Sequence, residues 1–287
     1  MQHDSVADFV AQGLSDLKTG SVALIFVEDM VEVGSTIRHH RRLGFPNLVV
    51  FTPDADLVPR DLHDDVVIVR LATYEEDALE RTVNTLIEAL PGRWLYYCYN
   101  AEYLFFPFCE TRFIEEMLAF HAEERREAML TYVIDLYAPD LAAHPDGVSL
   151  DAAHLDRSGY FAQARLDADG QPLPRQFDFM GGLRWRFEEH VPAHRRKIDR
   201  IALFRAQRGL ELRADHCFNI AEYNTYACPW HNNLTAAICS FRTAKALRSN
   251  PGSAWAIDSF RWHATHPFDW TSSQLMELGL MEPGQWF

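Results

Sequence analysis

Five short apolar runs punctuate the first half of the chain: SVALIFV (21–27), NLVVFT (47–52), DVVIVRL (65–71), RWLYYCYN (93–100) and AMLTYVIDLYA (128–138). Each is too short for a buried helix and is bounded by charged or turn residues, so each reads as a buried strand. The segments between them change period. EVGSTIRHHRRLG (32–44) is helical and closed by Gly44, and YEEDALERTVNTLIEALPG (74–92) places Leu79, Val83, Leu86 and Leu90 at helical spacing ahead of a Pro-Gly stop. A further helix is expected from about Glu110 to Glu127. Strand and helix in alternation predict an α/β fold with a doubly wound, mostly parallel central sheet, its first four strands beginning near Val22, Asn47, Val66 and Trp94.

The second half is less regular and reads as α+β. Residues 139–176 are polar and contain Pro and Gly, which predicts a long connection or excursion, not a linker between independent domains. FDFMGGLRWRFEEHVP (177–192) suggests a strand or hairpin interrupted at Gly181-Gly182, where the glycines mark either a close approach to a ligand or a simple tight turn. KIDRIALFRAQRGLEL (197–212) predicts a strand and turn, HNNLTAAICSFRTAKAL (231–247) has helical character, and the apolar anchors after His266 predict a packed C-terminus. The expectation is a single domain over 1–287, with a ligand-binding half (1–138) and an irregular half (139–287).

Composition narrows the function classes. The chain is 48% hydrophobic and 24% charged, which is globular usage, and its formal charge of −14 gives no reason to bind nucleic acid or an acidic membrane. The first twenty residues carry acids and no apolar leader, and no stretch reaches bilayer-spanning length, so a cytoplasmic protein is expected. Five cysteines without CxxC spacing signal neither a disulfide framework nor a thiolate zinc site, and read as mostly buried thiols.

Candidate chemistry gathers where strands end. In α/β proteins the carboxyl ends of the strands open onto the ligand crevice. Glu28 and Asp29 follow the first strand, Asp54 and Asp56 the second, and Asn100 and Glu102 the fourth. Helix capping explains the first pair equally well, and a capped turn with a solvated acid explains Asn100 and Glu102. Arg38 and Arg195 lie in basic runs that suit either a diphosphate or a solvated face.

The segment LIFVEDMVEVGSTIRHHRRLGFPNLVVFTPDAD, followed by YNAEYLFFP, resembles the opening of family 2-like glycosyltransferases with the A-type (GT-A) fold. The resemblance covers the first 110 or so residues. It implies transfer of a sugar from a nucleotide-sugar donor to a glycan or small acceptor. Asn100 and Glu102 fall where that family carries the two metal-binding aspartates, so the resemblance implies Mn2+ or Mg2+ held by Glu102 and Asn100. His231, in CPWHNNLT, falls near a late histidine of the family and is a further ligand candidate. Asparagine stands where the family has an acid. The donor-binding expectation is Glu28, Asp29, Asp54, Asp56 and Asn100.

For an acceptor base, RWRFEEHVP offers Glu188 and Glu189 beside His190, with Trp185 as a face for a sugar ring; a surface acid pair is the plain alternative. Asp215, His216, Glu222 and His231 form a second cluster. Two other functions stay open: a catalytically degenerate relative that binds a nucleotide sugar, glycan or protein partner, and a metal-dependent hydrolase using His263 and His266, which lack a supporting ligand motif.

Overall fold

A computed structural model of the protein describes residues 1–225 and 233–286. The chain is α/β, with a mixed, mostly parallel sheet of nine strands. The described strands are β1 (Gln2–His3), β2 (Val22–Phe26), β3 (Asn47–Thr52), β4 (Val67–Arg70), β5 (Trp94–Tyr99), β6 (Glu102–Phe105), β7 (Ala128–Asp135), β8 (His154–Asp156), β9 (Phe161–Leu166), β10 (Pro172–Met180), β11 (Asp199–Arg205), β12 (Ala236–Ser240) and β13 (Thr265–Pro267). The described α-helices are α1 (Val6–Asp8), α2 (Val33–Arg42), α3 (Ala78–Ala89), α4 (Ile114–Glu123), α5 (Gly182–Arg186), α6 (Arg242–Ser249), α7 (Pro251–Ala256) and α8 (Ser272–Glu277). Among the described residues no helix is long and apolar enough to cross a membrane.

The chain divides into two compact units. The first comprises Met1–Tyr103, Thr111–Met129 and Ile201–Asn224. Its strand order is β1-β4-β3-β2-β5-β11, parallel except for β11, which runs antiparallel to β5 with Leu203 opposite Tyr96. Every residue of β2 and β3 is buried, which is why these strands read as unbroken apolar runs. Each fully buried Val, Leu, Ile or Phe stabilises the fold by about 1.5–3 kcal/mol. Helix α3 buries Leu79, Val83 and Leu86 as their spacing predicts, with Ala78, Thr82 and Ile87 beside them. Helix α2 ends in a reversed residue, Gly44 at φ 86°, whose N–H bonds Arg41 O. Helix α4 is shorter than expected. Phe113 N–H is held by the Glu116 carboxylate at 2.7 Å, which starts the helix, and Arg125, at φ 57°, turns the chain away just after its end.

The second unit comprises Leu104–Glu110, Leu130–Arg200 and the described part of Thr225–Phe287. Strands β7 and β12 pair in parallel, Thr131 opposite Ala236. Tyr137, Leu183, Ala244, Leu247 and Phe260 form a buried cluster beside them. Here the structure corrects one expectation. The expected helix over 231–247 is split: residues 236–240 are a wholly buried strand and the helix begins at Arg242. Small residues such as Ala236 and Ala237 suit a buried parallel strand as well as a helix. The stretch 139–176, expected as a long connection or excursion, contains β8, β9 and the start of β10. The C-terminal segment packs as expected, with Trp286 buried against Phe106. Cys98, Cys217 and Cys239 are buried and Cys109 is partly so; Cys228 lies outside the described residues.

Candidate functional site at the ends of β2 and β5

In the first unit the chain leaves β2 through α2 to β3 on one side, goes on to β4, and returns through α3 to β5 on the other side of β2. The space beyond the carboxyl ends of β2 and β5 is therefore a topological switch point, where ligands of open α/β sheets bind. Register brings the two ends level. Phe26 lies opposite Tyr99, and Asn100 N–H donates to Phe26 O at 3.0 Å.

Asn100 is wholly buried and joins the two strand ends through its side chain. Its Oδ1 accepts the N–H of Glu28 at 2.9 Å. Its Nδ2 faces three oxygens: Asp29 Oδ1 at 2.7 Å, Val31 O at 2.8 Å and Asp29 O at 3.3 Å. Asp29 Oδ1 in turn accepts Val31 N–H at 2.9 Å. The carboxamide thus fixes the whole β2–α2 turn by serving as acceptor on one side and donor on the other. On the far side of that turn Glu32 adopts φ 57°, and its carbonyl accepts the hydroxyls of Ser35 and Thr36.

Glu102 is also wholly buried. Ala101, at φ 60°, reverses the chain, and its N–H is held by Thr36 Oγ1 at 2.8 Å. This brings Glu102 back so that Oε2 accepts Tyr99 N–H at 2.9 Å. His40 is close enough to feel its charge. That carboxylate opposes, without overcoming, the burial that drives the His40 imidazole down to about 4, and His40 Nδ1 lies 2.8 Å from Thr36 O.

A hard divalent cation is held by oxygen ligands open to it, carboxylates among them. Both side chains are enclosed, with Asn100 Oδ1 and Glu102 Oε2 turned onto backbone N–H groups, and no cluster of three or more His, Cys, Asp or Glu among the described residues is arranged to hold a metal. The donor set present does not fit a resident Mn2+ or Mg2+ held by these two residues. His231 lies outside the described residues.

The other expected residues fall into separate settings. Glu28 is exposed and Asp29 half-buried. Asp54 and Asp56 are exposed; Asp54 caps a single turn by accepting Asp56 N–H at 3.0 Å, and it lines a cleft of about 320 Å3 together with His3, Thr52, Ile68 and Arg70. Arg38 pairs with Asp61 at the surface. In the second unit Trp185 is 42% exposed and meets Phe161 edge-on, at 5.8 Å between ring centres. Glu188 and Glu189 are exposed on a single turn. Glu188 pairs with Arg196 at 3.2 Å and Glu189 lies 3.8 Å from His190. This is the surface-pair arrangement. Of the second acceptor-base cluster, His216 stacks its ring on Tyr97, whose hydroxyl is 3.0 Å from Nδ1. Gly181 and Gly182 permit a close approach, but to protein. A side chain at Gly181 would meet the Tyr160 ring at 2.2 Å, and one at Gly182 the Asp135 carboxylate at 2.8 Å.

Three buried carboxylates in the second unit escape a reading of the sequence. Asp135 pairs with Arg184 at 3.3 Å. Asp156 accepts Tyr137 OH at 2.6 Å, Trp262 Nε1 at 2.7 Å and Arg186 Nε at 2.8 Å. Asp199 accepts Arg165 at 2.9 Å and Phe179 N–H at 2.7 Å, and burial pushes its carboxyl up. The signal was present as single acids near apolar runs, with Arg184 and Arg186 together on the segment that answers Asp135 and Asp156, and Arg165 on the strand that answers Asp199.

Compared with protein-family models and with curated proteins, the chain matches none, so its function is inferred from its own residues and their geometry.

Proposed function

We propose that the protein binds a nucleotide sugar beyond the carboxyl ends of β2 and β5 and transfers the sugar to a glycan or small acceptor. One observation carries this reading: at the point where the strand order of a mostly parallel sheet reverses, the turn after β2 is tied by hydrogen bonds to the end of β5, with Glu28 and Asp29 carried on it. Polar groups on a turn so fixed are set to accept the ribose or base hydrogens of a nucleoside without ordering cost at the moment of binding. The resemblance of residues 24–56 and 99–107 to family 2-like glycosyltransferases supports the sugar-nucleotide class of ligand.

A second reading, a protein of the same fold that binds a nucleotide sugar without turnover, is favoured by the absence of a fitting cation-binding donor set at Asn100 and Glu102. A thermal-shift screen of nucleoside diphosphates and their sugars tests the common part, because a ligand that binds the folded state raises its melting temperature. A shift with one nucleotide series, lost on Asp29→Ala, is expected. Release of free nucleotide from the sugar donor in the presence of acceptors then separates transferase from binder. No shift with any nucleotide overturns both.

A further inference from the structure

We infer that Asn100 is a positioning residue whose amide shapes the donor-binding turn, and that this site takes a nucleoside diphosphate without a cation held by Asn100 and Glu102. The inference rests on the donor reading above and goes further, because it assigns Asn100 a task that an aspartate cannot perform.

The geometry fixes which end of the amide is which. One terminal atom lies 2.9 Å from a backbone N–H, that of Glu28, and must be the oxygen. The other lies 2.7–3.3 Å from a carboxylate and two carbonyl oxygens and must be the nitrogen. An aspartate placed here keeps the first bond and turns the second set into contacts between an anionic oxygen and three acceptors, one of them the Asp29 carboxylate. In a site with no exposed surface on Asn100, that repulsion is poorly screened. The turn carrying Glu28, Asp29 and Val31 must then move. Asparagine in place of an acid is thus a requirement of this turn, not merely a lost cation ligand. Glu102 is accounted for in the same way, since its carboxylate holds Tyr99 N–H in the reversal at Ala101.

The test compares wild type, Asn100→Asp and the exchange pair Asp29→Asn/Asn100→Asp by titration with UDP and GDP, each in chelator and in Mn2+, with amide hydrogen exchange followed at residues 28–31. Wild type is expected to bind one nucleotide with affinity in chelator within about threefold of that in Mn2+. Asn100→Asp is expected to weaken binding at least tenfold in both conditions and to speed exchange at Glu28 and Val31. The exchange pair restores a donor opposite an acceptor, so it should recover part of the protection. If Asn100→Asp instead tightens nucleotide binding only in Mn2+, or leaves exchange at 28–31 unchanged, the inference is overturned. If Asn100→Asp does not fold, the wild-type comparison still decides the cation half, and Asn100→Ala, which removes both the acceptor for Glu28 N–H and the donor to Val31 O, replaces it in the exchange measurement. Wild type that binds neither nucleotide overturns the donor reading, while faster exchange in the variant would still establish the clamp as structural.

Discussion

Asp135 and Gly182 are in contact because one of them has no side chain: a methyl group at Gly182 would lie 2.8 Å from Asp135 Oδ2. Gly182 also sits at φ 65°, where an L-residue is strained. The carboxylate is thereby left room to accept Arg184 N–H at 3.2 Å while pairing with the guanidinium of the same residue. Gly182→Ala is expected to lower stability by about 2–4 kcal/mol, the sum of left-handed strain and displacement of a buried ion pair. Urea denaturation measures it. A loss below about 0.5 kcal/mol, ordinary for a surface position, would show that the segment relaxes freely.

Asp156 gathers a cation and two hydrogen-bond donors at 2.6–2.8 Å in a site from which water is excluded. Asp156→Asn keeps the shape but leaves Arg186 without its charge partner, at an expected cost of about 3–5 kcal/mol. Tyr137→Phe removes a neutral donor only and should cost about 1 kcal/mol. Chemical denaturation of the two variants side by side gives the ratio.

Two histidines make the fold acid-sensitive. Burial holds His40 and His121 down to about 4, below the ordinary 6.5. A base whose folded pKa is depressed binds fewer protons folded than unfolded between those values, so its stabilisation is complete above pH 6.5 and is lost as pH falls through 4. Each contributes up to roughly 3 kcal/mol to that fall. Denaturant midpoints should therefore drop between pH 7 and pH 4.5, and His121→Gln should flatten the drop. An unchanged slope in that variant would mean that His121 is not neutral in the folded protein.

Glu188 and Glu189 stand in water, one of them beside Arg196. A general base must hold one fixed position within hydrogen-bond reach of the attacking hydroxyl, and both carboxylates stand exposed on a single turn, Glu188 taken up by Arg196. Replacing either by Gln is expected to leave the melting temperature within about 1 °C and any sugar transfer within about threefold. A loss of transfer of a hundredfold or more at unchanged stability would restore the acceptor-base assignment.

The sheet of the first unit was legible because β2, β3, β4 and β5 are apolar runs at the expected starts, with Val67 in place of Val66 as the only shift. Strand β12 was misread because Ala, Thr and Cys pack equally well in a helix and because an amphipathic helix follows directly. At the site, the position of Asn100 at a strand end could be read from the sequence; what its amide does could not, since its partners are 69–72 residues away. The same separation hid the ion pairs. Asp135 and Arg184 are 49 residues apart, and nothing local distinguishes an acid that will be buried from one that will be solvated.

The first unit is assembled from three stretches of chain, and its last strand arrives late. Strand β11 covers β5, and the Asn84 side chain exchanges two hydrogen bonds with Leu212, at 2.7 and 3.0 Å, across 128 residues. During synthesis the parallel strands β2 to β5 therefore wait, with the edge of β5 uncovered, until residues near 212 have left the ribosome. An open, fully apolar strand edge is a template for wrong pairing, and parallel pairing closed over long loops is slow. The nascent chain is most exposed to aggregation while residues 104–200 are being made. Chains stalled at about residue 200 should bind chaperones that recognise extended apolar segments, and chains released after residue 224 should escape them.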